Sequence, residues 1–108
     1  MTQEIEALSL DEHRVVSLTE LIEFSGLRET ELLDLVQSGA LPVREATGAH
    51  TNVSYSFSAR VVTLARTACR LRDDFELDTR GLGVALRLLE RVRGLEEEIA
   101  LLRAQMPR

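Results

Sequence analysis

Residues 17–39 read Ser17-Leu-Thr-Glu20-Leu-Ile-Glu-Phe-Ser25-Gly-Leu-Arg-Glu-Thr30-Glu-Leu-Leu-Asp-Leu35-Val-Gln-Ser-Gly39, and this stretch decides the fold. Ser17 followed three residues later by Glu20 is a capping box: hydroxyl and carboxylate satisfy orphan backbone N–H groups at a helix start. Leu18, Leu21 and Ile22 follow at helical spacing and form the inner side of a short helix that Ser25-Gly26 ends. A second helix is predicted from about Glu29 to Ser38. Leu32, Leu33, Leu35 and Val36 face inward, and Gly39 stands in the usual place after the last turn. Two short helices across a glycine-containing turn make a helix-turn-helix.

Downstream, Leu41-Pro-Val-Arg-Glu45 leads into the turn-rich residues 46–52. Val53, Tyr55 and Phe57 then alternate with Ser54 and Ser56. That period of two marks a half-buried strand, so residues 41–57 are expected to form a β-hairpin, or wing. Ser58 is positioned to cap a third helix over about 59–74, with Val61, Leu64, Ala65, Ala68 and Leu71 inward. Asp78 is positioned to cap a fourth over about 79–105. The fold expected is mainly α: a winged helix-turn-helix head over residues 13–76 and a C-terminal helix over 77–108. An acidic tail, 1–12, has no sustained period and reads as flexible.

The fourth helix carries its own pattern. Ala85, Leu88, Val92, Leu95, Ile99, Leu102 and Met106 recur in steps of three and four, the a/d seam of a coiled coil. Arg91 and Glu98 flank it at g, Glu96 and Arg103 at e. Attractive pairings exist in both orientations, so charge does not choose between a parallel and an antiparallel pair. Leu88, Val92, Leu95, Ile99, Leu102 and Met106 are assigned to homodimerisation; the competing reading packs the stripe on the chain's own head.

Catalytic ingredients are thin, and neither an enzyme nor a cofactor is expected. His13 and His50 have no partner at metal-ligand spacing. Asp73 and Asp74 are adjacent and diverge on a helix, whereas acid–base work needs converging carboxylates. Gly81-Leu82-Gly83 lacks the strand and lysine of a phosphate loop. One cysteine, Cys69, excludes an internal disulfide and reads as a structural thiol. No apolar run approaches the roughly 20 residues that span a bilayer, and the N-terminus lacks a signal layout. A cytoplasmic location follows.

Charge decides the partner class. Residues 1–58 hold ten acids against three arginines, a net −7, while residues 59–108 hold ten arginines against eight acids; lysine is absent. In a winged helix-turn-helix the second helix enters the major groove. Here a helical projection places Thr30, Glu31, Asp34, Gln37 and Ser38 outward, with Glu29 at the helix start and no cation on that face. Nucleic-acid affinity rests on cations replacing condensed counterions, so this face disfavours DNA and suits a basic protein surface. First-turn acids also favour the helix dipole, so the weight falls on Asp34 and the missing cations.

The order and spacing of several segments resemble the CbpM-type chaperone modulators, a family with a MerR-like fold. They are Val16-Ser-Leu-Thr-Glu20, Ser25-Gly-Leu-Arg-Glu-Thr-Glu-Leu32, Val43-Arg-Glu45, Arg70-Leu-Arg-Asp-Asp-Phe-Glu-Leu-Asp78, Gly81-Leu-Gly-Val-Ala-Leu-Arg-Leu-Leu89 and Leu101-Leu-Arg103. The resemblance covers about residues 15–105. One departure is Arg28, where a capping residue such as Ser is more usual. The resemblance implies a modulator that binds the J-domain of CbpA, a DnaJ-like co-chaperone, and inhibits its action with Hsp70 (DnaK). Glu20, Glu23, Glu29, Glu31 and Asp34 are the candidate partner-binding residues. Arg70, Arg72, Asp73 and Asp74 form a second candidate surface, against which stands an intrahelical pair between Arg70 and Asp74. The alternative is a MerR- or excisionase-like DNA-binding transcriptional regulator presenting Arg60, Arg66, Arg70 and Arg72 to phosphates.

Overall fold

The first helix starts at a polar cap and the third where a strand runs out. A computed structural model describes residues 14–49 and 52–107; the expected tail, His13 and His50 lie outside them. The order is β1 (Val15–Ser17), α1 (Leu18–Ser25), α2 (Glu29–Gln37), β2 (Glu45–Thr47), β3 (Ser54–Ser58), α3 (Arg60–Phe75) and α4 (Thr79–Gln105). The mainly helical fold with a small antiparallel sheet is the architecture expected from the sequence.

Ser17 closes β1 and caps α1 at once. Its Oγ accepts from the Glu20 amide, and its own amide donates to Glu20 Oε1, both at 3.1 Å. Gly26 ends α1 in the left-handed region at φ 83°, where a side chain would be strained and would press on the Cys69 Sγ. Ser25, buried, turns its hydroxyl to accept from the Leu27 amide at 3.1 Å. The turn between α1 and α2 is thereby fixed by backbone geometry and one internal hydrogen bond.

The sheet is one strand wider than the hairpin the sequence implied. β3 is the central strand, with β2 antiparallel on one edge and β1 antiparallel on the other. β1 was not foreseen; its three residues merge with the capping box. Val16 pairs with Phe57, and both are fully buried. Val53, expected on the inner face, lies before β3 and is exposed, because the strand begins one residue later. Ser58 does not cap α3. It is still in the ladder opposite Val15, so Ala59 takes the N-cap position without a side-chain acceptor, and its amide donates to the Arg14 carbonyl at 3.1 Å.

Leu21, Leu32, Leu35, Leu41, Phe57, Val62, Ala65 and Ala68 make one continuous core. α3 buries Val61, Val62, Ala65 and Ala68, while the expected inner residues Leu64 and Leu71 are half-buried. α4 enters the same core only through Leu82, Gly83 and Leu86. Its cap is the one foreseen: the Gly81 amide donates to Asp78 Oδ1 at 2.8 Å. Asp78→Ala is expected to cost about 1 kcal/mol. Because α4's first turns are part of the core, this should lower the midpoint of thermal unfolding by about 4 °C, measured by circular dichroism.

Candidate partner-binding surface

The helix-turn-helix sets α2 on the surface, and the acids of its neighbourhood divide into two kinds. Glu23, Glu29 and Asp34 are exposed and make no ion pair among the described residues. Thr30, Gln37 and Ser38 are exposed on the same helix. Glu20 is half-buried and spent on the α1 cap.

Glu31 corrects the sequence reading. It was placed outward with Asp34, yet it is 6% exposed. Its Oε1 accepts from the Arg28 amide at 3.0 Å and from Arg28 Nε at 3.3 Å. The same oxygen meets Arg72 Nη1, forty-one positions along the chain on α3, at 2.5 Å. Glu31 occupies the third helical position, where a glutamate reaches back to the preceding backbone. That reach turns it toward the core rather than toward solvent. Arg28 has no acceptor to return the cap, so the start of α2 is held by Glu31 alone. Burial pushes the Glu31 carboxyl up, but the Arg28 amide and guanidinium and the Arg72 guanidinium together outweigh it and hold the group below its ordinary value of 4.5.

The second candidate surface is likewise partly internal. Arg72 spans Glu31 and Asp73, its Nη2 lying 3.0 Å from Asp73 Oδ1. The side-chain hydrogen bond that Arg72 donates to Asp73 leads in raising its already high pKa. Arg70 and Asp74 are both exposed, and the pair expected between them is not formed; Asp73 and Arg72 pair instead. Cys69 lies beside this network, 3.5 Å from Arg72 Nη2. Burial raises the thiol above its ordinary value, and the carboxylates of Asp73 and Glu31 add to that despite Arg72. The thiolate is scarce at neutral pH, which makes Cys69 a poor nucleophile.

Among the described residues no group of three or more His, Cys, Asp or Glu is placed to hold a metal ion, and no helix is long and apolar enough to cross a membrane. Of the four arginines a DNA reader would present, Arg60 and Arg70 are exposed, and Arg66 and Arg72 are engaged within the chain. Arg72 is tied to two carboxylates, and Arg66 Nη1 donates to the Phe24 carbonyl at 3.4 Å. Leu88, Val92, Leu95, Ile99, Leu102 and Met106, the six seam residues, are 40–68% exposed in the single chain. Val92 also borders a shallow pocket with Thr63, Leu64 and Thr67 of α3.

Residues 16–104 match the MerR HTH family of regulatory proteins. The chain is also similar to the chaperone modulatory protein CbpM of Salmonella newport and of Salmonella agona. It is 34% identical to each over 92 residues, which is 85% of this chain and 87% of the relative. The chain belongs to the CbpM-type chaperone modulators. CbpM relatives are named as modulatory proteins and the wider family as regulators, neither of them a catalytic class. Among the described residues of this CbpM-type chain, the exposed, unpaired acids of the helix-turn-helix are Glu29 and Asp34 on α2 and Glu23 on α1. Arg72, a candidate contact residue, also ties α3 to Glu31 of α2; nothing local in the sequence pairs the two.

Proposed function

We propose that this chain binds the J-domain of a CbpA/DnaJ-like co-chaperone in the cytoplasm and inhibits its action with Hsp70, working as a homodimer joined through α4. The observation that carries the reading is the outward face of α2. It presents Glu29 and Asp34 without a cation, while Arg66 and Arg72 nearby are spent on Phe24 and Glu31. Such a face suits a basic helix and repels a phosphate backbone. The relationship to proteins named chaperone modulatory protein supports a chaperone-system partner.

Titration of the intact chain against an isolated J-domain tests this. The wild type should bind, suppress J-domain stimulation of Hsp70 ATPase activity, and weaken as salt rises. Glu29→Lys with Asp34→Lys should weaken binding at least about tenfold while leaving the melting temperature near that of the wild type. Unchanged affinity in that variant removes α2 from the interface, and no binding by the wild type ends the co-chaperone reading. The wing and the MerR relationship favour a second reading as a DNA-binding regulator. A salt-sensitive gel shift by the wild type, enhanced by the same two lysines, is its signature.

A further inference from the structure

Behind α2 runs an open groove of about 530 Å3 between that helix and the first turns of α4. Asp34, Gln37 and Ser38 form one wall; Arg80, Val84 and Arg87 form the other. Gly83 is buried at its base, where an added Cβ would meet Ser38 Oγ at 3.7 Å and Ala40 Cβ at 3.9 Å. Arg87 donates to the Ser38 carbonyl, at the negative end of α2. That arginine therefore has a role within the chain.

Arg80 has none. It is exposed and makes no ion pair among the described residues. It also sits in the first turn of α4, where the helix dipole favours acids and disfavours a cation. Val84, one turn on, is 59% exposed beside buried Gly83. Arg80, Val84 and Arg87 fall at i, i+4 and i+7, a single ridge of about 10 Å on one side of the helix. The ridge faces Asp34 across the groove, so acid and base stand on opposite walls with an apolar side chain between them.

We propose that this groove is the second half of the docking surface: the partner sets a basic side chain against Asp34, an apolar one over Val84 and a carboxylate against Arg80. The proposal rests on the co-chaperone reading above and adds that the J-domain contact is two-signed rather than purely acidic on this chain's side. A carboxylate at Arg80 gains both the guanidinium and the positive end of α4. A partner offering cations alone would meet Arg80 as a repulsion. The two signs together fix the docked orientation, because an inverted partner would bring like charges together at both ends.

Arg80→Glu and Val84→Asp, each made in the full chain and titrated against an isolated J-domain beside wild type and Asp34→Lys, test it. Arg80→Glu places an acid where the helix dipole welcomes one, so its melting temperature should equal or exceed that of the wild type. Its affinity should nonetheless fall about tenfold, and that of Val84→Asp by a similar factor. Wild-type binding weakened by Asp34→Lys but unchanged within about twofold by both α4 variants would overturn the groove while leaving the co-chaperone reading in place. Tighter binding by Arg80→Glu would overturn it equally. Absence of wild-type binding removes both.

Discussion

Glu31→Lys is expected to unfold the head rather than to report on a partner. In the native chain Glu31 Oε1 collects the Arg28 amide, the Arg28 guanidinium and the Arg72 guanidinium within a nearly closed site. A lysine there would bring a third cation against two arginines and remove the acceptor that holds the start of α2. Breaking a buried pair by removing one partner costs about 3–5 kcal/mol, and charge reversal belongs at the upper end. For a chain of this size that amounts to a fall of about 15–20 °C in the thermal midpoint, or failure to fold. Glu31→Gln keeps the shape and can still accept one hydrogen bond, so it should cost less, about 2 kcal/mol. Thermal unfolding followed by circular dichroism separates the three proteins. A Glu31→Lys midpoint within about 3 °C of the wild type would mean that the ion pair contributes little.

The same carboxylate gives the head an acid sensitivity of definite sign. Glu31 titrates lower in the folded chain than in the unfolded one, so its contribution is fully present above about pH 4.5. It is lost as pH falls through the folded value. Wild type should therefore lose more stability than Glu31→Gln on going from pH 6 to pH 3. The outcome matters for function because α2 carries Glu29 and Asp34, and the orientation of those acids depends on the tie between Glu31 and Arg72.

Most of this architecture was legible because its signals are local. The Ser17 capping box, the Asp78 cap and Gly26 each act within a few residues, and each is found where the spacing put it. Features that depend on distant parts of the chain were not legible. β1 is three residues long and exists only because β3, forty positions away, supplies the pairing. Glu31 illustrates the same limit at the candidate site. On a helical projection it borders both the apolar side and the polar side, and Arg72 decides between them from another helix. One local clue was present: Glu31 occupies the third position after Arg28, where a glutamate turns back to the N-cap amide. Read that way, Glu31 belongs to the scaffold, and the exposed acids that could face a partner reduce to Glu29, Asp34 and Glu23. Arg80 was passed over for the opposite reason. It lies outside the helix-turn-helix, and its misfit with the α4 dipole becomes meaningful only once Asp34 stands across a groove from it.

Leu95→Asp with Ile99→Asp is expected to abolish self-association and to melt the distal half of α4. Beyond Leu86 no residue of that helix is buried in the single chain, yet it continues for nineteen residues to Gln105. A free segment of that length is marginal as a helix in water, and the exposed seam of Leu88, Val92, Leu95, Ile99, Leu102 and Met106 is the kind of surface that pairing would bury. Burial of one Leu or Ile side chain is worth about 1.5–3 kcal/mol. Two such side chains lost on each of two chains, with charges left in their place, weaken a dimer at least about a thousandfold. Light scattering behind size exclusion should show wild type at twice the chain mass and the variant at the monomer mass. Far-ultraviolet circular dichroism should show a loss of helix confined to about the last twenty residues, while the head keeps its cooperative melt, because Leu82 and Leu86 remain in the core. A wild type that is monomeric at tens of micromolar, or a variant that stays dimeric, would place the partner of this seam elsewhere. If the seam pairs as expected, each assembly carries two acidic α2 faces. Loss of the dimer should then reduce inhibition of a tethered or dimeric co-chaperone far more than binding of an isolated J-domain, because the second contact would no longer be intramolecular.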